Sequence, residues 1–444
     1  MNGRARNIII GLDGVPYELL KDLSDSGVMP NVGALIQKGT FRKMSSSIPE
    51  VSSVAWSSII TGANPAEHGI FGFTDIPPNT YRLSFPNFDN LKVTPFWEKD
   101  NNSKHVLLNI PATYPARKVN GVLISGFVAL DLEKAVYPED LIPNLAEIDY
   151  KIDVDSEKAH RSLELFIKDL NRTNEARIAA YRHLWVKEWD TFMLVFTGTD
   201  RLMHFLWDAY EDEGHKHNAD FKNFFKRIDE SIGEILSRVD DSDNVIILSD
   251  HGFEKLEMDV YVNTVLIKGG MLKLKEGAAS NYSNIDHGTK AFALDPARIY
   301  INLKDKYPRG SVDPKDKKSV IHDIIRRFEN LLFEGTKVIR NIYKKEEVYR
   351  GRFMDMAPDI VLVGNKGFNL KASLASGEIF SKGVFTGKHS QHNAFILINK
   401  KELINIPEYP SVSDVIGIIN SLNGGGQWKA NSTTENVPAG TARP

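Results

Sequence analysis

Short unbroken apolar runs alternate along the chain with longer stretches of helical spacing. The runs fall at residues 7–12 (NIIIGL), 122–127, 191–196, 244–248 and 395–398. Strands that are apolar throughout, rather than at alternate positions, suit a parallel sheet covered on both faces. Residues 15–26, 156–189, 221–239 and 317–333 read as helices. Within 156–189, Ala159, Leu163, Phe166, Leu170, Ile178, Tyr181 and Trp185 recur near the helical period. Alternating strands and helices predict an α/β sandwich around a mostly parallel, doubly wound sheet.

Residues 269–382 break this rhythm. Short strands (ARIYINL, PDIVLV) mix there with a helix and Gly/Pro turns, so an inserted, smaller α+β subdomain that caps the rest is expected. The α/β core would then comprise 1–268 and 383–423. The stretch 424–444, rich in Gly, Ser, Thr and Pro, is expected to be loosely ordered.

Composition narrows the chemistry more than the fold. The chain has 444 residues, 42% hydrophobic and 25% charged, an ordinary globular balance. A net charge of -3 gives no basic excess for a nucleic acid polymer or an anionic membrane. There is no cysteine, so disulfides, thiolate metal sites and cysteine nucleophiles are excluded. Any metal must be held by His, Asp, Glu and hydroxyls. The apolar run in MNGRARNIIIGLDG is too short for a signal sequence or a membrane span, and a cytoplasmic protein is expected.

In open parallel sheets ligands bind beyond the carboxyl ends of the strands. Asp13 follows the first run, Asp200 the run 191–196, and Asp250 and His251 the run 244–248. His204 comes one helical turn after Asp200, and His389 lies just before the run 395–398. Taken singly, each has a plain reading: Asp13 as a turn residue, Asp200 as a helix cap, Asp250-His251-Gly252 as a turn, His389 as a surface histidine. Together they put three carboxylates and three imidazoles on one predicted sheet edge. Such ligands suit Zn²⁺ or Mn²⁺. Six are too many for one catalytic zinc and about right for two ions roughly 4 Å apart, the arrangement that clamps an in-line phosphoryl transfer.

The segment PEVSSVAWSSIITGANPAEHGI adds a hydroxyl. Ser52 or Ser53 could cap a helix starting near Val54, or Ser52 could be a nucleophile activated by a cation and by the helix dipole. Trp56, Phe71 and Phe73 read either as core or as a wall against a leaving group, and His68 as structural.

In order, the chain shows strand-Asp-Gly, a hydroxyl-bearing helix ending in TG-x-x-P-x-x-HGI, D-x-x-x-H, SDHGF and G-x-H. This order resembles the type I phosphodiesterase/nucleotide pyrophosphatase family of the alkaline phosphatase superfamily. The resemblance implies an alkaline-phosphatase-like fold with two divalent metals, most often zinc. It implies that Asp13, Ser52, Asp250 and His251 hold one metal, that Asp200, His204 and His389 hold the other, and that Ser52 is the nucleophile. Two departures stand out: Ala55 occupies the position of an Asn that steadies the phosphoryl oxygen in nucleotide pyrophosphatases, and no arginine flanks Ser52.

The expected activity is phosphoester hydrolysis of the phosphodiesterase type through a phosphoseryl intermediate, on a small phosphorylated substrate such as a nucleotide. Monoester or phosphonate hydrolysis, or phosphoryl transfer to an alcohol, is the alternative on the same site. An inactive, metal-stabilised binding protein is the alternative of another class.

Overall fold

The computed structural model describes residues 5–100, 102–401 and 406–424. Beyond Gly424, the stretch expected to be loosely ordered lies outside the described residues.

The main sheet is built from β1 (Asn7–Leu12), β2 (Thr40–Met44), β3 (His105–Ile110), β4 (Gly121–Ser125), β5 (Val136–Tyr137), β6 (Thr191–Phe196), β7 (Asn244–Leu248) and a last strand, Ala394–Ile398. Their spatial order is β2, Ala394–Ile398, β7, β1, β6, β3, β4, β5. Strands β7, β1, β6, β3 and β4 are mutually parallel, with Gly11 of β1 opposite Val195 and Leu248. Ala394–Ile398 runs against both its neighbours.

Every residue of β1 is buried, which explains its unbroken apolar pattern. Ile8, Ile10 and Leu12 pack into one cluster with Phe166, Ile178 and Phe224. Ile9 faces the opposite cluster with Val54, Trp56, Ile59 and Ile418. Helices therefore cover both faces: α1 (Tyr17–Asp25), α2 (Pro30–Lys38), Leu163–Trp185 and Asn218–Leu236 on one side, α3 (Ser52–Thr61) and Val415–Leu422 on the other. Each fully buried aliphatic side chain of this kind contributes about 1.5–3 kcal/mol.

Some elements differ from the pattern reading. The helical stretch 156–189 is two helices, Glu157–Arg161 and Leu163–Trp185. Ser162 between them is extended, and its Oγ accepts the Leu165 N–H at 3.3 Å. A serine competes with the helical ladder in this way and starts a new helix instead. The apolar run at 122–127 yields a strand only to Ser125. Strand β3 escaped the pattern because Asn109 interrupts its apolar run. Asn109 is buried at φ 61°, where the β3–β4 register shifts, and its amide donates to the Val195 carbonyl at 3.0 Å.

Residues Val260 to Leu374 contribute most of a second apolar cluster, which includes Phe292, Ile299, Ile324 and Leu362. An antiparallel sheet of Ala291–Leu294, Arg298–Ile301, Ile360–Gly364 and Ile339–Lys344 packs there beside the helix Lys317–Glu329. Among the described residues, no helix is long and apolar enough to cross a membrane.

Topology sets up one edge. Because β1, β6 and β7 are parallel neighbours, the residues following them emerge side by side. Ala394–Ile398 runs the other way, so the chain entering it arrives at that same edge. There β8 (Gly252–Lys255) pairs antiparallel with Gly387–Ser390, placing His389 opposite Phe253.

Candidate metal centre and active site

Helix α3 begins at Ser52, two residues before the expected start near Val54. Val51 is its N-cap and makes no side-chain cap bond, so neither serine serves as the cap. The Ser52 hydroxyl is left to face the sheet edge. Its Oγ lies 3.4 Å from Asp13 Oδ1, to which it donates, and 3.2 Å from His251 Nε2. Ser53 Oγ is buried with no partner among the described residues. At the far end of α3, Gly62 takes the left-handed conformation (φ 69°) that ends the helix.

Asp13 and Asp250 complete this cluster. Asp13 Oδ2 accepts the Trp56 indole N–H at 3.0 Å. Asp250 Oδ1 accepts the Gly14 N–H at 3.1 Å. Its Oδ2 is buried, has no hydrogen-bond partner among the described residues and lies 3.4 Å from His251 Nε2.

Asp200 and His204 share one face of the helix Gly198–Glu211, as their spacing predicts. Asp200 Oδ1 is 3.0 Å from His389 Nε2 and 3.5 Å from His204 Nε2. The two Nε2 atoms are themselves 3.0 Å apart. The His251 and His389 rings stack with centroids 3.8 Å apart, which joins the two clusters. All seven residues expected at the site thus converge on one sheet edge.

The imidazoles share one orientation. Nδ1 of His204, His251 and His389 faces the carbonyls of Gly387, Gly252 and Glu50 at 3.2, 3.1 and 3.0 Å. Each Nδ1 therefore carries the proton, and each Nε2 turns a lone pair inward, as metal-binding histidines do. Burial lowers all three imidazoles, His251 to about 4, so they are neutral donors near pH 7. Burial and the neighbouring carboxylates hold Asp13 well above the usual range, and burial with the Asp200 charge pushes Asp250 up to about 7. Burial also opposes ionisation of Asp200, but in the acid range where that carboxyl titrates His204 and His389 are protonated, and with Arg201 they outweigh burial and hold it low.

These features test whether divalent ions fit. One ligand atom from each of Asp13, Asp250 and His251 lies within 4.8 Å of the others, as does one from each of Asp200, His251 and His389. Facing nitrogen lone pairs and an orphaned carboxylate oxygen are costly when buried, and cations resolve both. The all-N/O donor set suits zinc or manganese.

Arg201 carries no signal in the chain beyond directly following Asp200. Its guanidinium reaches Asp200 Oδ2 at 3.4 Å and Asp153 Oδ2 at 2.8 Å. Of the three aromatics, Trp56 and Phe71 are buried in the core, whereas Phe73 lines a cavity of about 370 Å³ beside His204 and His389. Glu50, Pro296, Phe368, Leu370 and Lys371 also line it. His392 pairs with Arg340 away from the cluster.

His68 is structural, as expected. Its Nδ1 accepts the Ile70 N–H at 3.2 Å and its Nε2 faces Ser58 Oγ at 3.0 Å. Burial lowers it from the usual 6.5 to about 3. The folded chain thus refuses a proton that the unfolded chain binds. This contribution is complete above pH 6.5 and declines as pH falls toward about 3, by about 1.4 kcal/mol per pH unit. Urea unfolding of metal-free protein at pH 7 and pH 5 is expected to show a smaller acid loss in His68→Gln than in the wild type. Equal losses would remove His68 from the acid response.

The profile described as type I phosphodiesterase / nucleotide pyrophosphatase matches residues 7–391. A search of curated proteins finds no match. Among solved structures, phosphonoacetate hydrolase from Sinorhizobium meliloti 1021 in complex with phosphonoformate superposes with a TM-score of 0.62 at 17% identity, covering 95% of this chain and 96% of that one. Murine ectonucleotide pyrophosphatase / phosphodiesterase 5, as an inactive variant in complex with AMP, gives 0.56 at 13% identity, covering 96% and 97%. At such identities the likeness concerns the fold, which is the alkaline-phosphatase-like α/β architecture expected from the sequence. With most of its length matched to the profile, the chain belongs to the type I phosphodiesterase/nucleotide pyrophosphatase family, whose members hydrolyse phosphoester bonds.

Proposed function

We propose that this chain is a two-metal phosphodiesterase-type hydrolase with Ser52 as its nucleophile. The carrying observation is the Ser52 hydroxyl within 3.4 Å of Asp13 and 3.2 Å of His251, beside Asp200, His204 and His389, whose facing atoms lie 3.0–3.5 Å apart. Asp13, Ser52, Asp250 and His251 would hold one divalent ion, and Asp200, His204 and His389 the other, with zinc the first choice and manganese the second. Bound there, the ions supply Lewis-acid chemistry, lowering the pKa of a hydroxyl and neutralising charge on the phosphoryl and leaving oxygens.

The chain's own residues do the rest. Asp13 Oδ1 orients the Ser52 hydroxyl. Ser52 Oγ attacks phosphorus in line and the alcohol departs, leaving a phosphoseryl ester. The amide N–H of Ser53, in the first turn of α3, is placed to hold a phosphoryl oxygen where Ala55 offers no side-chain donor. The cavity lined by Phe73, Phe368 and Leu370 receives the leaving group. Water then attacks phosphorus, the Ser52–phosphate bond breaks and the serine is regenerated. Small ligands with a phosphoryl or phosphonyl group, such as the AMP and phosphonoformate bound to the fold relatives, fit this scheme.

Two in-line displacements leave the configuration at phosphorus unchanged. Hydrolysis of a chiral phosphorothioate diester in ¹⁸O-labelled water by the zinc-loaded enzyme is expected to give net retention. Net inversion would rule out the phosphoseryl intermediate. Aryl diesters are expected to turn over faster than aryl monoesters, and the reverse ranking would favour a monoesterase on the same residues.

A further inference from the structure

We infer that Trp56 is a positioning residue for the metal centre, acting through Asp13, and that Gly11 exists to admit it. The inference rests on the proposed two-metal reading. Trp56 is fully buried and lies one helical turn after Ser52 on α3. Its indole N–H donates to Asp13 Oδ2 at 3.0 Å. The other carboxylate oxygen, Oδ1, faces Ser52 Oγ at 3.4 Å and His251 Nε2 at 3.6 Å. The indole thus ties one oxygen of Asp13 and turns the other toward the nucleophile and the imidazole. The same helix turn carries both the nucleophile and the group that aims its carboxylate.

Gly11 makes the arrangement possible. It sits in β1 two residues before Asp13, directly beneath the ring. A Cβ built at Gly11 would lie 2.5 Å from Trp56 Cη2, closer than a side chain allows, and 3.1 Å from Cζ2, a tight contact. Val195 Cγ2, on the neighbouring strand β6, would lie 3.0 Å from the same point, so an added carbon would be crowded from that side as well. In a buried β1 made otherwise of large aliphatic residues and Asn7, a glycine costs packing, and the seat it opens is filled by the indole.

Hydrogen-bond partners that orient a ligand typically contribute about 10- to 100-fold in metal affinity. Titration of metal-free full-length protein with Zn²⁺ by calorimetry is therefore expected to show one of two ions bound about 10- to 100-fold more weakly in Trp56→Phe, with the other unchanged. Phe keeps the apolar bulk and removes only the N–H donor. Gly11→Ala is expected to weaken the same ion by displacing the ring.

Equal zinc affinities in the wild type and Trp56→Phe would overturn the positioning role while leaving the two-metal reading intact. A wild type that binds neither Zn²⁺ nor Mn²⁺ would sink that reading and this inference with it. Should Trp56→Phe fail to fold, ¹⁵N-indole spectra of the wild type still decide. Of its six tryptophan signals, one is expected to shift on zinc addition, and no shift would overturn the inference.

Discussion

Replacing Ser52 with alanine is expected to lower turnover by about 10³-fold or more while zinc still binds. The hydroxyl is the only group lost. Ser52 makes no helix cap, so α3 keeps its start, and Asp13, Asp250 and His251 keep their positions. What disappears is the oxygen that forms the ester with phosphorus. Ser52→Thr restores a hydroxyl at the same helix position and is expected to recover turnover in part. Rates on an aryl diester, measured beside zinc content, check both variants. A Ser52→Ala enzyme with wild-type turnover would remove the nucleophile assigned here.

Asp250→Asn is expected to move stability and activity in opposite directions. In the metal-free protein Asp250 Oδ2 is a buried acceptor without a hydrogen-bond partner, with the Asp200 charge nearby. Its carboxyl, normally near 3.8, rises to about 7 through burial. The folded state holds this proton longer than the unfolded chain does. Stability of the metal-free protein is therefore lost as pH rises from about 4 through about 7, and the full penalty is present above that. An asparagine keeps Oδ1 for the Gly14 N–H and presents an NH₂ where Oδ2 lay, 3.4 Å from the lone pair of His251 Nε2.

Metal-free Asp250→Asn is thus expected to gain about 1–3 kcal/mol at pH 8 by relief of the orphaned acceptor. The same change removes an anionic metal ligand, so zinc affinity and turnover are expected to fall by about 10²-fold or more. Thermal melts with and without a chelator, together with zinc stoichiometry, read both arms. A metal-free variant less stable than the wild type would contradict the assigned charge balance. Unchanged zinc binding would remove Asp250 from the ligand set. Such opposed effects are what a site selected for binding rather than for stability produces.

Much of the cluster at the sheet edge could be read from the chain because four of its side chains stand just beyond recognisable apolar runs. Asp13, Asp200, Asp250 and His251 follow β1, β6 and β7, and all three strands are apolar at nearly every position because both their faces are covered. His389 was legible for a different reason. It precedes a strand that runs opposite to its neighbours, so the start of that strand meets their carboxyl ends.

The less legible parts were those where one side chain overrides a pattern. Asn109 hides β3 by placing a buried amide within an apolar strand. Ser162 divides what reads as one helix. Trp56 reads from the chain only as core or as a wall against a leaving group, because an indole N–H reveals its role only when its acceptor is in place.

The chain order by itself determined the strand–helix alternation, the absence of thiol chemistry and which side chains stand at strand ends, since these follow from local periodicity and residue type. Tertiary structure alone decided how near the Ser52 hydroxyl comes to Asp13 and His251, that the three imidazoles turn Nε2 inward, that Arg201 backs Asp200, and that the Trp56 indole donates to Asp13. Those facts depend on angles between elements distant in the chain, which short-range patterns do not carry. A carboxylate becomes a metal ligand only when packing takes its water away and brings other donors within reach.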